Sequence, residues 1–146
     1  MHKADILIIE DNESDSTLIQ EAIKETVMAS SVFAVKQAED AMKFLQQKGP
    51  YKGKSRPDLI IMDLKMPNVD GHEFLKTIKS DKDFGLIPVI ILTGSDSDDD
   101  ITRSYKLHAN CYIVKPVNFI KFKRVVSVIN DFWLGVAKLP PKQPPT

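Results

Sequence analysis

Leu59, Ile60, Ile61 and Met62 follow one another with no polar residue between them, and the run stops at Asp63. An unbroken apolar run of this length suits a strand covered on both faces of a parallel sheet. Asp63 then stands at the carboxyl edge of that strand, with Pro67 and Gly71 turning the chain just beyond it. Open α/β sheets bind ligands in the crevice outside those edges, which makes Asp63 a candidate site residue. For one such Asp taken alone, the plainer explanation is a residue that merely opens a turn.

The pattern recurs along the chain. Ile6 to Ile9 form an apolar run ended by Glu10 and Asp11, and Val89 to Leu92 form one introduced by Pro88 and ended by Thr93-Gly94-Ser95. Cys111 to Val114 end in Lys115-Pro116, and Ser31 to Gln37 make a weaker strand in which Phe33 and Val35 alternate with polar neighbours.

Helical spacing fills the intervals. The first helix is capped by Asn12 or Ser14 and carries Leu18, Ile19, Ala22, Ile23 and Val27 on one face. The second opens at Glu39 or Asp40, bears Ala41, Met42 and Leu45, and is stopped by Gly49-Pro50. Phe74, Leu75 and Ile78 mark the third; Ile101, Tyr105 and Leu107 or His108 mark the fourth. Asn118 caps the last, whose stripe is Phe119, Phe122, Val125, Val126, Ile129 and Trp133. Five strands alternating with five helices predict an α/β protein, a single (βα)5 domain with a doubly wound parallel sheet. The connection from Tyr51 to Pro57 exceeds the ~2–6 residues usual for such links; it is either tolerated length or a partner contact.

A chain of 146 residues with 20 acidic and 20 basic side chains has no net field to favour nucleic acid or an anionic membrane. A single cysteine, Cys111, excludes an internal disulfide framework. The first apolar run is too short for a signal peptide or a membrane span. A soluble, cytoplasmic protein is expected. The run Asp96-Ser97-Asp98-Asp99-Asp100 lacks the glycine and distal glutamate of a calcium loop; Ser97 with Asp100 reads as a capping box.

If all strands run parallel, Glu10, Asp11, Asp63, Thr93 and Lys115 share one rim. Three crowded carboxylates either raise one another's pKa values or recruit a divalent cation. Oxygen donors in a shallow cleft suit Mg²⁺, and the scattered His2, His72 and His108 assemble no softer site. A cation beside an exposed Asp, with a lysine and a threonine hydroxyl opposite, is arranged for phosphoryl transfer with Asp63 as nucleophile. Pro116 fixes the backbone after the lysine, and a cis bond there would aim the ammonium inward.

These motifs resemble the receiver domains of two-component response regulators. The resemblance runs from about Asp5 to Trp133 and rests on Ile9-Glu10-Asp11-Asn12, Asp63-Leu-Lys-Met-Pro67, Asp70-Gly71, Thr93-Gly94-Ser95 and Tyr112-Ile-Val-Lys115-Pro116. It implies a flavodoxin-like fold in strand order 2-1-3-4-5, over residues 1–134, followed by a Pro-rich tail over 135–146. It implies a phosphoryl group received on Asp63 from a sensor histidine kinase. Glu10, Asp11, Asp63 and the backbone carbonyl of Lys65 would surround the Mg²⁺. Thr93 and Lys115 would contact the phosphoryl group, and Tyr112 would swing with Thr93 as the switch. The chain departs from the family in having Gly94 where alanine is frequent, which leaves access to Asp63 open. It also lacks the usual glycine ahead of the fifth strand. That variant, the Tyr51 to Pro57 loop and the end from Asp131 to Pro141 narrow the resemblance to small single-domain regulators that partner phytochrome kinases.

HAD-type phosphatases use a similar Asp, Mg²⁺ and Lys, but they need a second Asp two positions on, where this chain has Lys65. The expectation is therefore a phosphoacceptor signalling protein and not an enzyme acting on external phosphoesters. A receiver in shape only is disfavoured by the presence of all five site residues. A nucleotide-binding protein is disfavoured because no Gly-rich loop follows the first strand. With no output domain after Trp133, output is expected through partner binding, with no direct contact to nucleic acid or membrane. Phe132, Trp133, Leu134, Val136 and Leu139 either fold back on the core or contribute to a dimer or kinase interface, a homodimer using the fourth helix, fifth strand, last helix and this segment. The tail itself reads as extended or mobile chain.

Overall fold

A computed structural model describes residues 3–25 and 29–142. Its sheet has five strands: β1 (Ala4–Ile9), β2 (Ala29–Val35), β3 (Leu59–Met62), β4 (Val89–Thr93) and β5 (Cys111–Val114). Every pairing is parallel, in the order β2-β1-β3-β4-β5. The helices are α1 (Glu13–Lys24), α2 (Ala38–Leu45), α3 (Gly71–Ser80), α4 (Asp98–Lys106) and α5 (Phe119–Ile129). This is the flavodoxin-like arrangement. From β1 the chain moves outward to β2, then reverses to β3, so a crevice opens at the carboxyl ends of β1 and β3.

The two-residue period of a strand explains the unbroken apolar runs. Leu7, Ile9, Ile60, Met62 and Ile91 face one layer, where they meet Phe44 and Leu45 of α2 and Phe74, Leu75 and Ile78 of α3. Ile6, Ile8, Leu59, Ile61, Ile90 and Leu92 face the other, against Ile19 and Ile23 of α1 and Phe122, Val126 and Ile129 of α5. Each fully buried aliphatic side chain of this kind stabilises the fold by about 1.5–3 kcal/mol.

Side-chain caps place several helix starts. Asn12 accepts a hydrogen bond from the Asp15 N–H, Asp70 from that of His72, Ser97 from that of Asp100 and Asn118 from that of Lys121. Between β3 and α3, Lys65–Met66 and Val69–Asp70 form a two-residue antiparallel hairpin. Asn68, at φ 65, makes its turn.

The structure departs from the sequence expectations in five places. β2 begins at Ala29, two residues early, and the Ser31 hydroxyl donates to Asp5 Oδ1 at 2.7 Å. α2 starts at Ala38 and ends at Leu45, because Gln47 takes a positive φ of 56 ahead of Gly49. On α4 only Ser104 is buried; of the expected stripe Ile101 is half-buried, Leu107 packs against the α2–α3 layer, and Tyr105 is 48% exposed. Phe119 is likewise exposed on α5, and Trp133 belongs to a π-helical segment, Asn130–Val136, rather than to α5 itself. The Lys115–Pro116 bond is trans, like every described peptide bond. His2, Val27 and residues 143–146 lie outside the described residues.

Of the C-terminal apolar residues, Leu134 is buried and Trp133 and Leu139 pack against the α1–α5 layer, whereas Phe132 and Val136 stay exposed. Asn130 anchors this segment by donating from Nδ2 to the Ala22 carbonyl at 3.0 Å. Beyond it, Lys142 pairs with Asp5 and with Asp58 at the amino end of the sheet. No helix among the described residues is long and apolar enough to cross a membrane.

Candidate functional site

Backbone pairing carries the expected residues to one edge. The N–H of Glu10 donates to the Val35 carbonyl, and that of Asp63 donates to the Ile9 carbonyl, both at 3.0 Å, so both carboxylates emerge at the carboxyl ends of the central strands. The Lys115 N–H donates to the Thr93 carbonyl at 2.7 Å, which fixes the lysine one step past β5. One carboxylate oxygen from each of Glu10, Asp11 and Asp63 lies within 4.8 Å of the other two. Glu10 and Asp63 are buried and Asp11 is exposed, which gives the hollow a wall and an opening.

Lys115 reaches into this cluster. Its Nζ lies 2.8 Å from Asp63 Oδ2 and 2.9 Å from Asp15 Oδ2, and it also pairs with Glu10 Oε1. An ammonium has three hydrogens to donate, and each has a carboxylate. Burial opposes the charge on Lys115, but the hydrogen bonds to Asp15, Asp63 and Glu10 outweigh it and hold the amine above the usual lysine range. Burial, with the nearby Asp63 charge, raises Glu10 from 4.5 to about 7 despite its bond to Lys115. The two shifts differ in origin: burial raises Glu10, whereas the carboxylate hydrogen bonds raise Lys115 against burial.

Asp15 was not among the expected site residues. An acid in the first turn of a helix ordinarily complements the helix dipole, and that role disguised it. The signal was its spacing, since the first turn of α1 lies directly over the acid pair that ends β1.

Thr93 ends β4 and is fully buried, and its Oγ1 has no hydrogen-bond partner among the described residues. A buried orphan hydroxyl costs about 1–3 kcal/mol, so its retention calls for a reason. Tyr112 donates from its hydroxyl to the Ser95 carbonyl at 2.8 Å, and its own N–H donates to the Tyr105 hydroxyl at 3.1 Å. Its phenol is pushed up by burial. Ser95 in turn donates to Asp100 Oδ2 at 2.5 Å, and that bond holds the Asp100 carboxyl low. The capping box read from Ser97 and Asp100 is therefore half formed: Ser97 accepts from the Asp100 N–H, while the Asp100 carboxylate turns to Ser95.

Two glycines shape the approach. A Cβ on Gly71 would stand 2.4 Å from the Leu64 carbonyl oxygen and 2.6 Å from Leu64 Cα, so α3 packs directly on the backbone next to Asp63. A Cβ on Gly94 would meet nothing within 4 Å. His72, one of the scattered histidines, is buried with Nε2 3.1 Å from Ser104 Oγ, where it joins α3 to α4.

The chain is similar to known proteins of one family. Residues 6–127 match the response regulator receiver domain family. The chain is 42% identical to the response regulator Rcp1 of Synechocystis sp. over 135 residues, covering 92% of each. It is 38% identical to a probable methanogenesis regulatory protein, FilR2, of Methanothrix harundinacea, over 92% of this chain and 86% of that one. A crystal structure of the phosphorylated cyanobacterial phytochrome response regulator RcpA superimposes with a TM-score of 0.91 at 44% identity, covering 95% of this chain and 99% of that one. A Mn²⁺-bound form of Rcp1 superimposes with a TM-score of 0.90 at 40% identity, covering 94% and 99%. The family match spans the sheet and its helices from β1 to α5, and the chain belongs to the response regulator receiver domain family, related to the phytochrome response regulator RcpA.

Proposed function

We propose that this receiver domain accepts a phosphoryl group on Asp63 from a sensor histidine kinase of the phytochrome type, with Mg²⁺ as cofactor. The observation that carries the reading is the position of Asp63, with an ammonium 2.8 Å from one carboxylate oxygen and two further carboxylates alongside. The donor set is all oxygen, which fits a hard divalent cation, and the resemblance adds the Lys65 carbonyl to Glu10, Asp11 and Asp63. Bound there, the cation supplies neutralisation of charge on the carboxylates and on the incoming phosphoryl oxygens.

The chain's own residues do the rest. An Asp63 carboxylate oxygen attacks phosphorus, an O–P bond forms as the N–P bond of the donor phosphohistidine breaks, and the imidazole departs with the electron pair. Lys115 holds an ammonium where phosphoryl oxygens arrive. The orphan hydroxyl of Thr93 gains a partner in the same group. That gain is what draws Thr93 toward Asp63 and gives Tyr112 room to leave Ser95. The signal is then a changed surface on α4, β5 and α5, and the protein works by binding partners in the cytoplasm rather than by turnover of a substrate. Phosphotransfer from an autophosphorylated phytochrome-type kinase tests this: label moves to the wild-type chain in Mg²⁺ and stays on the kinase when Asp63 is Asn. Transfer to Asp63→Asn overturns the assignment.

A second copy of this chain fits the same face as a partner. Val128, Phe132 and Val136 are 58%, 51% and 72% exposed, beside the better packed Trp133. Apolar area of that extent at the end of α5 favours a homodimer.

A further inference from the structure

Lys115 serves both parties at the site, since it donates to Glu10 and Asp63, two of the carboxylates grouped for a cation. An ammonium collapsed onto both would compete with that cation for the same oxygens. The third donor goes elsewhere, to Asp15 Oδ2 at 2.9 Å. Asp15 is not one of the three grouped carboxylates, and it stands on a different element from Asp63. The position of Asp15 is secured from the backbone, because its N–H donates to the Asn12 cap at 2.9 Å and places its carboxylate at the first turn of α1.

We propose that Asp15 is a positioning residue for Lys115: it pins one leg of the ammonium to α1, so that Glu10 and Asp63 can turn to a divalent cation while the amine stays over the phosphoryl position. This deepens the proposed function and rests on it. The burial gradient supports the division of labour. The side chains of Glu10, Asp63 and Lys115 are 2%, 7% and 11% exposed, and that of Asp15 is 28% exposed. The outermost carboxylate can thus stay paired with the lysine while the inner two change partners. Asparagine keeps the shape of Asp15 but gives up its charge, and the ammonium then falls back onto Glu10 and Asp63.

The test is a double-mutant cycle on Mn²⁺ affinity, read by electron paramagnetic resonance on the full chain, with near-UV circular dichroism to show that each variant is folded. Asp15→Asn weakens Mn²⁺ binding at least about fivefold, the scale of one partly buried charge pair. With Lys115→Met in place the same substitution changes affinity less than about twofold, because the competitor is gone. Asp15→Glu restores most of the loss. An equal loss in both backgrounds means that Asp15 acts only as bulk negative charge, and it overturns the proposal while leaving the site intact. Unchanged binding in Asp15→Asn overturns it as well. A wild-type chain that binds no Mn²⁺ removes the underlying site reading, and this inference with it.

Discussion

Nζ of Lys115 stands 2.8 Å from Oδ2 of Asp63, although 52 residues separate them along the chain. Two parallel strands, β3 and β5, deliver these side chains from opposite sides of β4, and the rigidity of the sheet sets their separation.

Gly71 and Gly94 flank the site with opposite tolerances. In Gly71→Ala the new methyl group meets the Leu64 backbone, so the segment after Asp63 must shift. The expected cost is about 1–3 kcal/mol in urea unfolding, together with weaker divalent-cation binding. Gly94→Ala has free space and should stay within about 0.5 kcal/mol of wild type. It should slow phosphoryl entry, because Gly94 lines the same cavity as Asp15 and Lys115.

Thr93→Val removes a buried hydroxyl that has no partner. Relief of that orphan group should stabilise the unphosphorylated protein by about 1 kcal/mol. The same variant should lose label faster once phosphorylated, because the phosphoryl group loses a hydrogen-bond donor. Chemical denaturation and a label-decay time course measure the two effects on one protein.

Glu10 carries a pH signature. The folded, metal-free chain keeps a proton on Glu10 up to about pH 7, while the unfolded chain releases it near 4.5. Between those values the folded state binds more protons, so this group makes stability fall as pH rises. Urea midpoints in chelator at pH 5 and pH 7 should therefore diverge more in wild type than in Glu10→Gln. A divalent cation has to displace that proton, and its stabilising effect should grow over the same interval.

The C-terminal segment has a buried side and an exposed one. Leu134→Ala should destabilise the chain by about 2–4 kcal/mol, as for other core truncations. Phe132→Glu with Val128→Glu should leave the stability of the monomer nearly unchanged and prevent the proposed homodimer. Sedimentation distinguishes the cases: dimer mass for wild type and monomer mass for the double variant is the expected pair, and monomer mass for both contradicts the homodimer.

The strands and the rim residues were legible because a strand buried on both faces needs apolar side chains throughout. The first polar residue after such a run then marks its end, as Glu10, Asp63 and Lys115 do. Features set by tertiary contact were harder to read. The α4 spacing suggested a buried Tyr105, but that ring stays at the surface and lends its hydroxyl to the Tyr112 N–H. In the sequence Gly49-Pro50 marks the end of α2, whereas in the structure Gln47 already turns the chain. Asp15 was hidden by its ordinary place in a helix start, and only the arrival of Lys115 from the far end of the chain gives it a second role.

The most direct measurement is peptide-level mass spectrometry of the chain after incubation with a small-molecule phosphodonor, with Mg²⁺ and with chelator. One added phosphoryl group on the peptide containing Asp63, present with Mg²⁺ and absent both in chelator and in Asp63→Asn, is the predicted result. A phosphoryl group mapped to any other residue, or one that persists in Asp63→Asn, would contradict it.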